Sequence, residues 1–316
     1  MTRKINDMKK PALLFLWLSI IGFSYGQQDP IITQYLFDKL PINPGYAGSV
    51  DALSVNLIDR YQWVGIKDGP NTITFTANSY LPNPHLGLGL YIYRDALGPS
   101  VETGVMGSFA YKILLPKGKL SFGVQFGFNY LNIDWSALEP NDLNDPLVNN
   151  QVKKKAVPDA GFGIYYYSKR FYAGISSTHL LQNEMVVSND NKVNTNSFSK
   201  LLRHFYGMTG IAIPVSENID LRPSVIVKYV QNAPVQADLN LGMLFNDIFW
   251  IGVGYRTEKC LTFMVDVNIA KNLHIGYSYD AWFNELKSYN MGSHEIRLGY
   301  DFDIFGLEKM VTPRYF

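Results

Sequence analysis

The residues of this 316-residue chain that could support catalysis or metal binding do not form a recognisable motif. Its five histidines lie in separate segments, without the spacing of metal ligands: His85, His179, His204, His274 and His294. His294-Glu295 lacks the second histidine of a zinc-binding helix, and no Gly-x-Ser-x-Gly nucleophile elbow occurs. Gly87-x-Gly89, Gly161-x-Gly163 and Gly252-x-Gly254 lie in alternating segments, and no helix start follows them as it does in nucleotide loops. We therefore expect no catalytic activity, no cofactor and no metal site.

The clearest structural pattern is the alternation between Leu120 and Trp135. Every second residue is large and apolar: Leu120, Phe122, Val124, Phe126, Phe128 and Tyr130. The residues between them are small or polar: Ser121, Gly123, Gln125, Gly127 and Asn129. A period of two with these faces predicts a strand between lipid and a lumen. The stretch exceeds the roughly 9–11 residues that a strand needs to cross an outer membrane.

Similar alternation recurs from Leu53 onward and predicts an all-β fold, a transmembrane antiparallel up-and-down β-barrel of about 14 strands. The predicted segments are Leu53–Gln62, Thr72–Tyr80, Leu86–Arg94, Glu102–Leu114, Lys119–Asp134, Asp159–Tyr167, Phe171–His179, Arg203–Ile213, Asn218–Val230, Val235–Phe245, Phe249–Arg256, Leu261–Ile269, Leu273–Ala281 and Ser293–Asp303. Every second connection is short, and the long gaps at 135–158, 180–202 and 282–292 fall in the other set. Bacterial barrels have short periplasmic turns and longer external loops, so we expect these gaps outside the cell.

Composition agrees with a barrel. Charged residues make up 17% of the chain, below the roughly 25% of soluble domains, and aromatic residues make up 14%. The alternative is a soluble sandwich or propeller, but no repeat of about 40–50 residues is present. A formal net charge of +1 gives no reason to expect nucleic acid as a partner. Cys260 is the single cysteine, which excludes an internal disulfide.

Charged residues share one face of several late segments. Arg222 and Lys228 lie on one face of their segment, and Glu295 and Arg297 lie on one face of theirs. The polar residues predicted to point the same way are Ser224, Gln236, Asp238, Asn240, Asp301 and Asp303. Two interpretations are open: the charges pair and fill the lumen, or they line a hydrophilic conduit or ligand site. We favour the first, because a lumen of about fourteen strands must be filled or plugged to prevent leakage.

The N-terminus predicts a signal peptide over residues 1–26, because basic residues precede an apolar run that ends in Ser24-Tyr25-Gly26. Residues 27–50 alternate poorly and contain the turn-rich cluster Asn43–Gly48. We expect this segment to be an N-terminal periplasmic arm that leads into a barrel domain at 51–316. The alternative is that its aromatic residues pack into the barrel mouth and plug it.

Short motifs follow one another along nearly the whole predicted mature chain. They include Gln28-Asp29-Pro30, Gln34-Tyr35, Asn43-Pro44-Gly45-Tyr46-Ala47-Gly48, Arg60-Tyr61-Gln62-Trp63, Tyr277-Ser278-Tyr279-Asp280 and Gly292-Ser293-His294-Glu295-Ile296. This ordered set resembles the PorP/SprF family of type IX secretion proteins. Gly45 stands where the family usually has alanine.

The resemblance implies a non-enzymatic outer-membrane barrel of Bacteroidota that works with the type IX secretion and gliding machinery. Family members have one of two roles. One role secretes a partner adhesin and holds it at the surface through the adhesin's C-terminal domain. The other links outer-membrane lipid to the periplasmic ring and to peptidoglycan-binding lipoproteins. A passive outer-membrane channel for small solutes is the alternative function.

Candidate partner-binding residues lie at both ends of the predicted barrel. Asp142, Asp145 and Asp190 belong to long polar loops on the side that we expect to face outward, where an adhesin would dock. Tyr35 and Tyr46 lie on the expected arm and would contact a periplasmic protein. The remaining two candidates end the first strand: Arg60 and Trp63. We expect Trp63 to belong to the interfacial aromatic belt rather than to a binding surface, and we expect both chain termini in the periplasm.

Overall fold

The computed structural model describes residues 29–30, 32–134, 153–154, 156–187, 200–270 and 272–304. Strands make up most of this part of the chain. The helical pieces described are single 3-10 turns at Thr33–Leu36, Pro44–Tyr46 and Glu285–Ser288. Within the described ranges, no helix is long and apolar enough to cross a membrane.

The strands are numbered in chain order. Their bounds are β1 Leu53–Tyr61, β2 Asn71–Tyr80, β3 Leu86–Leu97, β4 Ser100–Leu115, β5 Gly118–Ile133, β6 Lys153–Lys154, β7 Ala156–Tyr167, β8 Phe171–Thr178, β9 Val186–Val187, β10 His204–Ile211, β11 Ile213–Ser216, β12 Ile219–Val230, β13 Gln236–Phe245, β14 Phe249–Arg256, β15 Cys260–Ala270, β16 Leu273–Trp282 and β17 Ser293–Phe302. Strands β6 and β9 pair with each other in a separate two-stranded ribbon.

The other strands form one closed antiparallel sheet. Each pairs with its neighbours along the chain, β1 pairs with β17, and β10 pairs with β12. Since β10 and β11 are two parts of one barrel strand, the barrel has fourteen strands. The predicted all-β, up-and-down antiparallel barrel of about 14 strands is therefore confirmed.

The predicted strand bounds differ from the observed ones by up to three residues, and the turn predicted from Pro214 is one of these differences. The sequence predicts a turn from Pro214, but the chain continues as β11 to Ser216. Proline cannot donate a ladder hydrogen bond, which is why the prediction ended the strand there. In the structure β11 has β12 as its one strand neighbour, and the register shifts between Pro214 and Ser216. Pro214 has no N–H group to donate. Its nitrogen therefore lies at an edge of β11 where no neighbouring strand would accept a hydrogen bond.

The two faces of each barrel strand meet different surroundings. On β5, Gln125 and Asn129 are buried, whereas Phe126 and Phe128 are 64% and 61% exposed. Other strands likewise expose large apolar side chains, among them Leu57, Phe109, Val253 and Phe263. An outer face of this kind suits hydrocarbon, while the inner face is polar or small. The alternation predicted from Leu120 onward is thus present with the expected faces.

The connections divide the barrel into two ends. At one end, named the tight-turn end, neighbouring strands are joined by short turns, for example at 116–117, 217–218 and 246–248. The opposite end, named the long-connection end, carries the connections after β1, β5, β8 and β16. This sorting agrees with the alternation of short and long gaps in the sequence.

The segment predicted as a periplasmic arm lies inside the barrel. Thr33, Gln34, Leu40 and Tyr46 are all buried within the lumen. The described residues of the range 29–50 are named the plug. The described residues thus lie in the lumen, as in the alternative of a plug, and not outside the barrel as in the favoured expectation. The physical reason is that a lumen of this width would otherwise remain unfilled.

The plug runs along the lumen from one end to the other. Asp29 lies near His179 and His204, which border the long connection after β8. Gly48 lies near Asn78 and Lys112, toward the tight-turn end, before the chain turns back into β1. Phe302 ends β17 at the tight-turn end, paired with Leu53. Asp29 and Phe302 therefore lie at opposite ends of the barrel. The termini themselves lie outside the described residues, so their expected place in the periplasm stays a prediction.

We predict that replacing Phe126 by arginine weakens folding into a bilayer by about 2–4 kcal/mol, because it places a charge in hydrocarbon near the middle of β5. Urea titration of the protein in lipid vesicles measures this change. Phe126→Leu is the matched control and should retain most of the stability. Equal stability of the arginine and leucine variants would contradict a lipid-facing position.

Candidate functional site

The plug is fixed near the long-connection end by a buried ionic cluster. Arg60 on β1 places one guanidinium nitrogen 2.6 Å from Asp280 Oδ2 and the other 3.0 Å from Glu295 Oε2. Arg256 lies 3.5 Å from the same oxygen of Asp280 and pairs with Asp238 at 3.1 Å. These charges stand on five different strands, so the barrel itself assembles the cluster.

The ionic cluster holds the first turn of the plug directly. The backbone N–H groups of Thr33 and Gln34 donate to the two oxygens of Glu295, at 2.8 and 2.7 Å. The hydroxyl of Thr33 donates to Asp280 at 2.9 Å and accepts from Arg60 at 3.0 Å. The free N–H groups at the start of a helical turn favour an anion, and Glu295 supplies one. The buried carboxylates are therefore shared between the barrel wall and the plug.

The middle of the plug carries two further charges, Asp38 and Lys39, both buried. Asp38 accepts hydrogen bonds from Thr76 and from the backbone N–H of Leu40. Lys39 donates to the carbonyl of Leu36 at 2.6 Å, and its ammonium lies 4.7 Å from the ring centroid of Tyr172. Burial lowers the pKa of Lys39 to about 7. Each charge is thus compensated locally.

Aromatic contacts fill the space around these charges. Phe37 packs edge-on against Trp250 at 5.0 Å between ring centroids, and the guanidinium of Arg297 lies 4.7 Å from the Phe37 ring. Tyr46 packs edge-on against Tyr165 at 5.5 Å. Such pairs add specific geometry to ordinary apolar burial. The plug is therefore packed against the inner wall as a protein core is.

Inner-face glycines receive the backbone of the plug. A Cβ atom on Gly87 would lie 2.2 Å from the carbonyl oxygen of Ala47, and one on Gly123 would lie 2.2 Å from the carbonyl carbon of Pro44. A Cβ on Gly163 would lie 2.1 Å from Oδ1 of Asn43. These glycines permit the close approach of another backbone. They explain two of the Gly-x-Gly pairs in the sequence without any nucleotide.

The structure confirms the interpretation that charged residues on the inner face of the late strands pair with one another and fill the lumen. Arg297 pairs with Asp266, and Arg222 pairs with Asp220 at 2.9 Å. Glu295 joins the ionic cluster, and Asp301 lies 3.2 Å from a ring nitrogen of His274. Asp303 lies beyond the end of β17 and is exposed. The pairing of charges, together with the plug, leaves little open lumen.

A cavity of about 100 Å³ remains between the plug and the wall. Tyr91, Tyr93 and Met106 line it from the wall, and Tyr35 and Ile42 line it from the plug. Such a volume holds a few water molecules.

A cluster of polar side chains borders this cavity at the long-connection end. His179 places Nδ1 2.5 Å from Asp159 and Nε2 2.7 Å from Asp29. Tyr206 donates its hydroxyl hydrogen to Asp29 at 2.9 Å. Burial alone would lower the pKa of His179, but the neighbouring Asp29 and Asp159 carboxylates raise it well above its usual value. The imidazole therefore bridges the barrel wall to the first residue of the plug.

The structure places three of the sequence-predicted candidates inside the barrel without joining them in one site. Tyr35, Tyr46 and Arg60 all lie inside the barrel and are buried. Tyr35 accepts a hydrogen bond from Asn240 at 2.7 Å. Neither tyrosine is on a surface in this arrangement, so their binding of a partner stays a prediction. The candidates Asp142, Asp145 and Asp190 lie outside the described residues.

Trp63 belongs to the first long connection. Its ring packs edge-on against Trp282 at 6.4 Å, and Trp282 is buried on the inner face of β16. The backbone N–H of Trp63 donates to Ser293 Oγ at 3.2 Å. Trp63 therefore packs toward the barrel interior, which differs from the expected place in an interfacial belt.

The sequence matches the family model described as type IX secretion system membrane protein PorP/SprF over residues 24–300. The chain belongs to this family. The PorP/SprF match covers the plug and nearly all of the barrel, as the resemblance of the motifs implied. The protein is thus a membrane component of the type IX secretion system, and its barrel places it in the outer membrane.

Solved structures similar to this PorP/SprF chain are barrels with low sequence identity. The outer membrane protein Omp33 of Acinetobacter baumannii is 8% identical, with 81% of this chain and 100% of Omp33 covered and a TM-score of 0.48. The toluene transporter TbuX of Ralstonia pickettii is 12% identical, with 90% and 99% covered and a TM-score of 0.49. The monoaromatic hydrocarbon channel CymD is 10% identical, with 88% and 95% covered and a TM-score of 0.47. No curated protein matches the chain.

We predict that Arg60→Met destabilises the protein by about 3–5 kcal/mol, because Asp280 and Glu295 lose their main buried counter-charge. Urea unfolding in detergent measures the loss, and limited proteolysis should cut the plug more readily. Arg94→Met, at an exposed position on β3, is the control and should behave as the wild type. A plug equally protected in both variants would contradict the role assigned to the ionic cluster.

Proposed function

We propose that this PorP/SprF protein is a plugged, non-conducting outer-membrane scaffold that supports secretion of a partner adhesin and holds it at the cell surface. The observation that carries the proposal is the plug. It fills the lumen, and hydrogen bonds join it to the wall at both ends and in the middle. A passive solute channel requires an open path, and the plug leaves a cavity of about 100 Å³ beside it. The scaffold has no catalytic step.

The long-connection end supports the docking of a partner. Tyr289 and Met291, in the connection between β16 and β17, are 73% and 67% exposed. Two backbone hydrogen bonds tie this connection to the first one: Met291 N–H to Val64 O at 2.7 Å and Val64 N–H to Gly292 O at 2.9 Å. Exposed apolar side chains on a fixed backbone are typical of binding surfaces. In this proposal the long-connection end faces the cell exterior.

Two family roles fit a plugged barrel: an adhesin partner at the surface, or a link to the periplasmic ring and its lipoproteins. The burial of Tyr35 and Tyr46 removes the arm that would have reached a periplasmic protein. The surface role is therefore the one that the described residues favour. In this role the adhesin's C-terminal domain contacts the long-connection end, from which the loops with Asp142, Asp145 and Asp190 also leave.

The plug predicts the conductance of the protein in a planar bilayer. The wild-type protein should give no steady ion steps, because its lumen is filled. Gly123→Leu should displace the turn at Pro44–Tyr46 and produce such steps, since its side chain takes the space of the plug backbone. Gly207→Leu is the matched control, because a Cβ on Gly207 meets nothing within 4 Å. Steady steps from the wild-type protein would instead support a passive channel.

The docking surface predicts a loss of partner when its apolar side chains are removed. Tagged protein purified from its own cells should carry a secreted adhesin, identified by mass spectrometry. The double variant Tyr289→Ser, Met291→Ser should recover several-fold less adhesin, because the buried contact area is lost. Ile248→Ser, an exposed apolar position in a turn at the tight-turn end, should recover as much as the wild type. Recovery of periplasmic ring components alone would favour the linking role.

A further inference from the structure

Three residues that are far apart in the sequence meet where the plug begins. Asp29, His179 and His204 each offer one potential metal-ligand atom, and these atoms all lie within 4.8 Å of one another. His179 Nε2 is 2.7 Å from Asp29 Oδ1. The ring of His204 lies beside the same carboxylate, with Nδ1 3.6 Å from Asp29 Oδ2, but Nδ1 is not the proposed ligand atom because it pairs with Leu202. One carboxylate and two imidazoles form a ligand set that Zn²⁺ commonly uses.

The wall orients His179 as a metal-binding histidine is oriented. Its Nδ1 lies 2.5 Å from a carboxylate oxygen of Asp159, which itself is buried. Asp159 therefore fixes the ring and leaves Nε2 directed at Asp29. A carboxylate behind a ligating imidazole is the usual second partner in zinc sites.

His204 is incompletely satisfied by the protein. Its Nδ1 lies 2.9 Å from the carbonyl oxygen of Leu202, so this nitrogen carries the hydrogen that it donates. Its Nε2 is fully buried and has no hydrogen-bond partner. The residue itself is 0% exposed. A lone pair buried without a partner is costly, and a metal ion would use it.

From these observations we propose that Asp29, His179 and His204 form a Zn²⁺ site that fastens the start of the plug to the barrel wall. Ligand atoms on one tetrahedral zinc ion lie about 3.3 Å apart, given Zn–N and Zn–O bonds of roughly 2.0–2.2 Å. The His179–Asp29 pair, now 2.7 Å apart, would open by about 0.6 Å, and a gap of up to 4.8 Å within the set would close by at most about 1.5 Å. Zinc binding takes the lone pair of His179 Nε2, and the proton now held between Nε2 and Asp29 leaves to solvent.

The surroundings suit a cation that has three protein ligands and a fourth coordination position open to water. The cavity of about 100 Å³ is lined by Asp29, His179 and Tyr206, and it has room for a water ligand. Two cationic residues, Lys228 and Arg256, line the same cavity, against four carboxylates: Asp29, Asp38, Asp159 and Asp238. The site also spans two strands and the plug, so a bound ion would resist withdrawal of the plug.

The test is zinc binding by the full mature protein purified in detergent and stripped with a chelator. Zn²⁺ titration by calorimetry, with metal analysis after dialysis, should give one ion per chain. Asp29→Asn, His179→Ala and His204→Ala should each abolish this stoichiometric binding, and Asp159→Asn should weaken it by about 10–100-fold. Co²⁺ in place of Zn²⁺ should give the visible absorption of a tetrahedral site in the wild type, and this absorption should be absent from the Asp29→Asn, His179→Ala and His204→Ala variants.

Two controls keep the result separate from misfolding. His294→Ala and Asp247→Asn change the same residue types outside the site and should retain one zinc ion per chain. Each variant is first checked for the heat-dependent gel mobility of a folded barrel, and unfolded variants are replaced by His179→Gln or His204→Gln. Absence of stoichiometric zinc in the folded wild type would overturn the proposal. So would a folded Asp29→Asn protein that binds zinc as tightly as the wild type.

Discussion

Hydrocarbon offers no hydrogen-bond partner to a polypeptide backbone, and this constraint governs the rest of the structure. Strands satisfy it by pairing into a closed cylinder, here completed by the pairing of β1 with β17. Closure of fourteen strands creates a wide interior, which cannot be filled by wall side chains alone. The plug supplies the missing volume from the same chain. Filling the lumen is therefore a direct consequence of crossing the membrane with this many strands.

Filling the lumen introduces a second problem, since the inner wall of such a barrel is polar. The plug solves it by placing its buried polar groups against wall groups of opposite charge or against hydrogen-bond partners. Glu295 illustrates the arrangement, because it accepts from the plug backbone and pairs with Arg60 at the same time. Inner glycines bring the plug backbone into direct contact with the wall. Shape and charge together select one position for the plug.

Sequence reasoning succeeded where a physical period was present. The alternation from Leu120 to Tyr130 fixed both the strand and its faces, because lipid and lumen impose opposite demands on neighbouring residues. It failed for residues 32–50, because their position depends on contacts with strands distant in the sequence and these contacts leave no local period. The spatial pairing of His179 and His204 was likewise hidden, because it depends on β8 and β10 lying side by side after an intervening long connection. The glycine pairs stand out in the sequence, but no local pattern indicates that plug residues pack against them.

The course of the plug bears on how the molecule can be assembled. The chain enters the lumen at one end, leaves at the other, and then becomes the first strand of the wall, which must join the last strand to finish the cylinder. The final joining of wall strands therefore encloses a segment already in place, unless the free N-terminus is later drawn through a completed ring. Insertion into the membrane and filling of the interior are, on this topology, parts of one event.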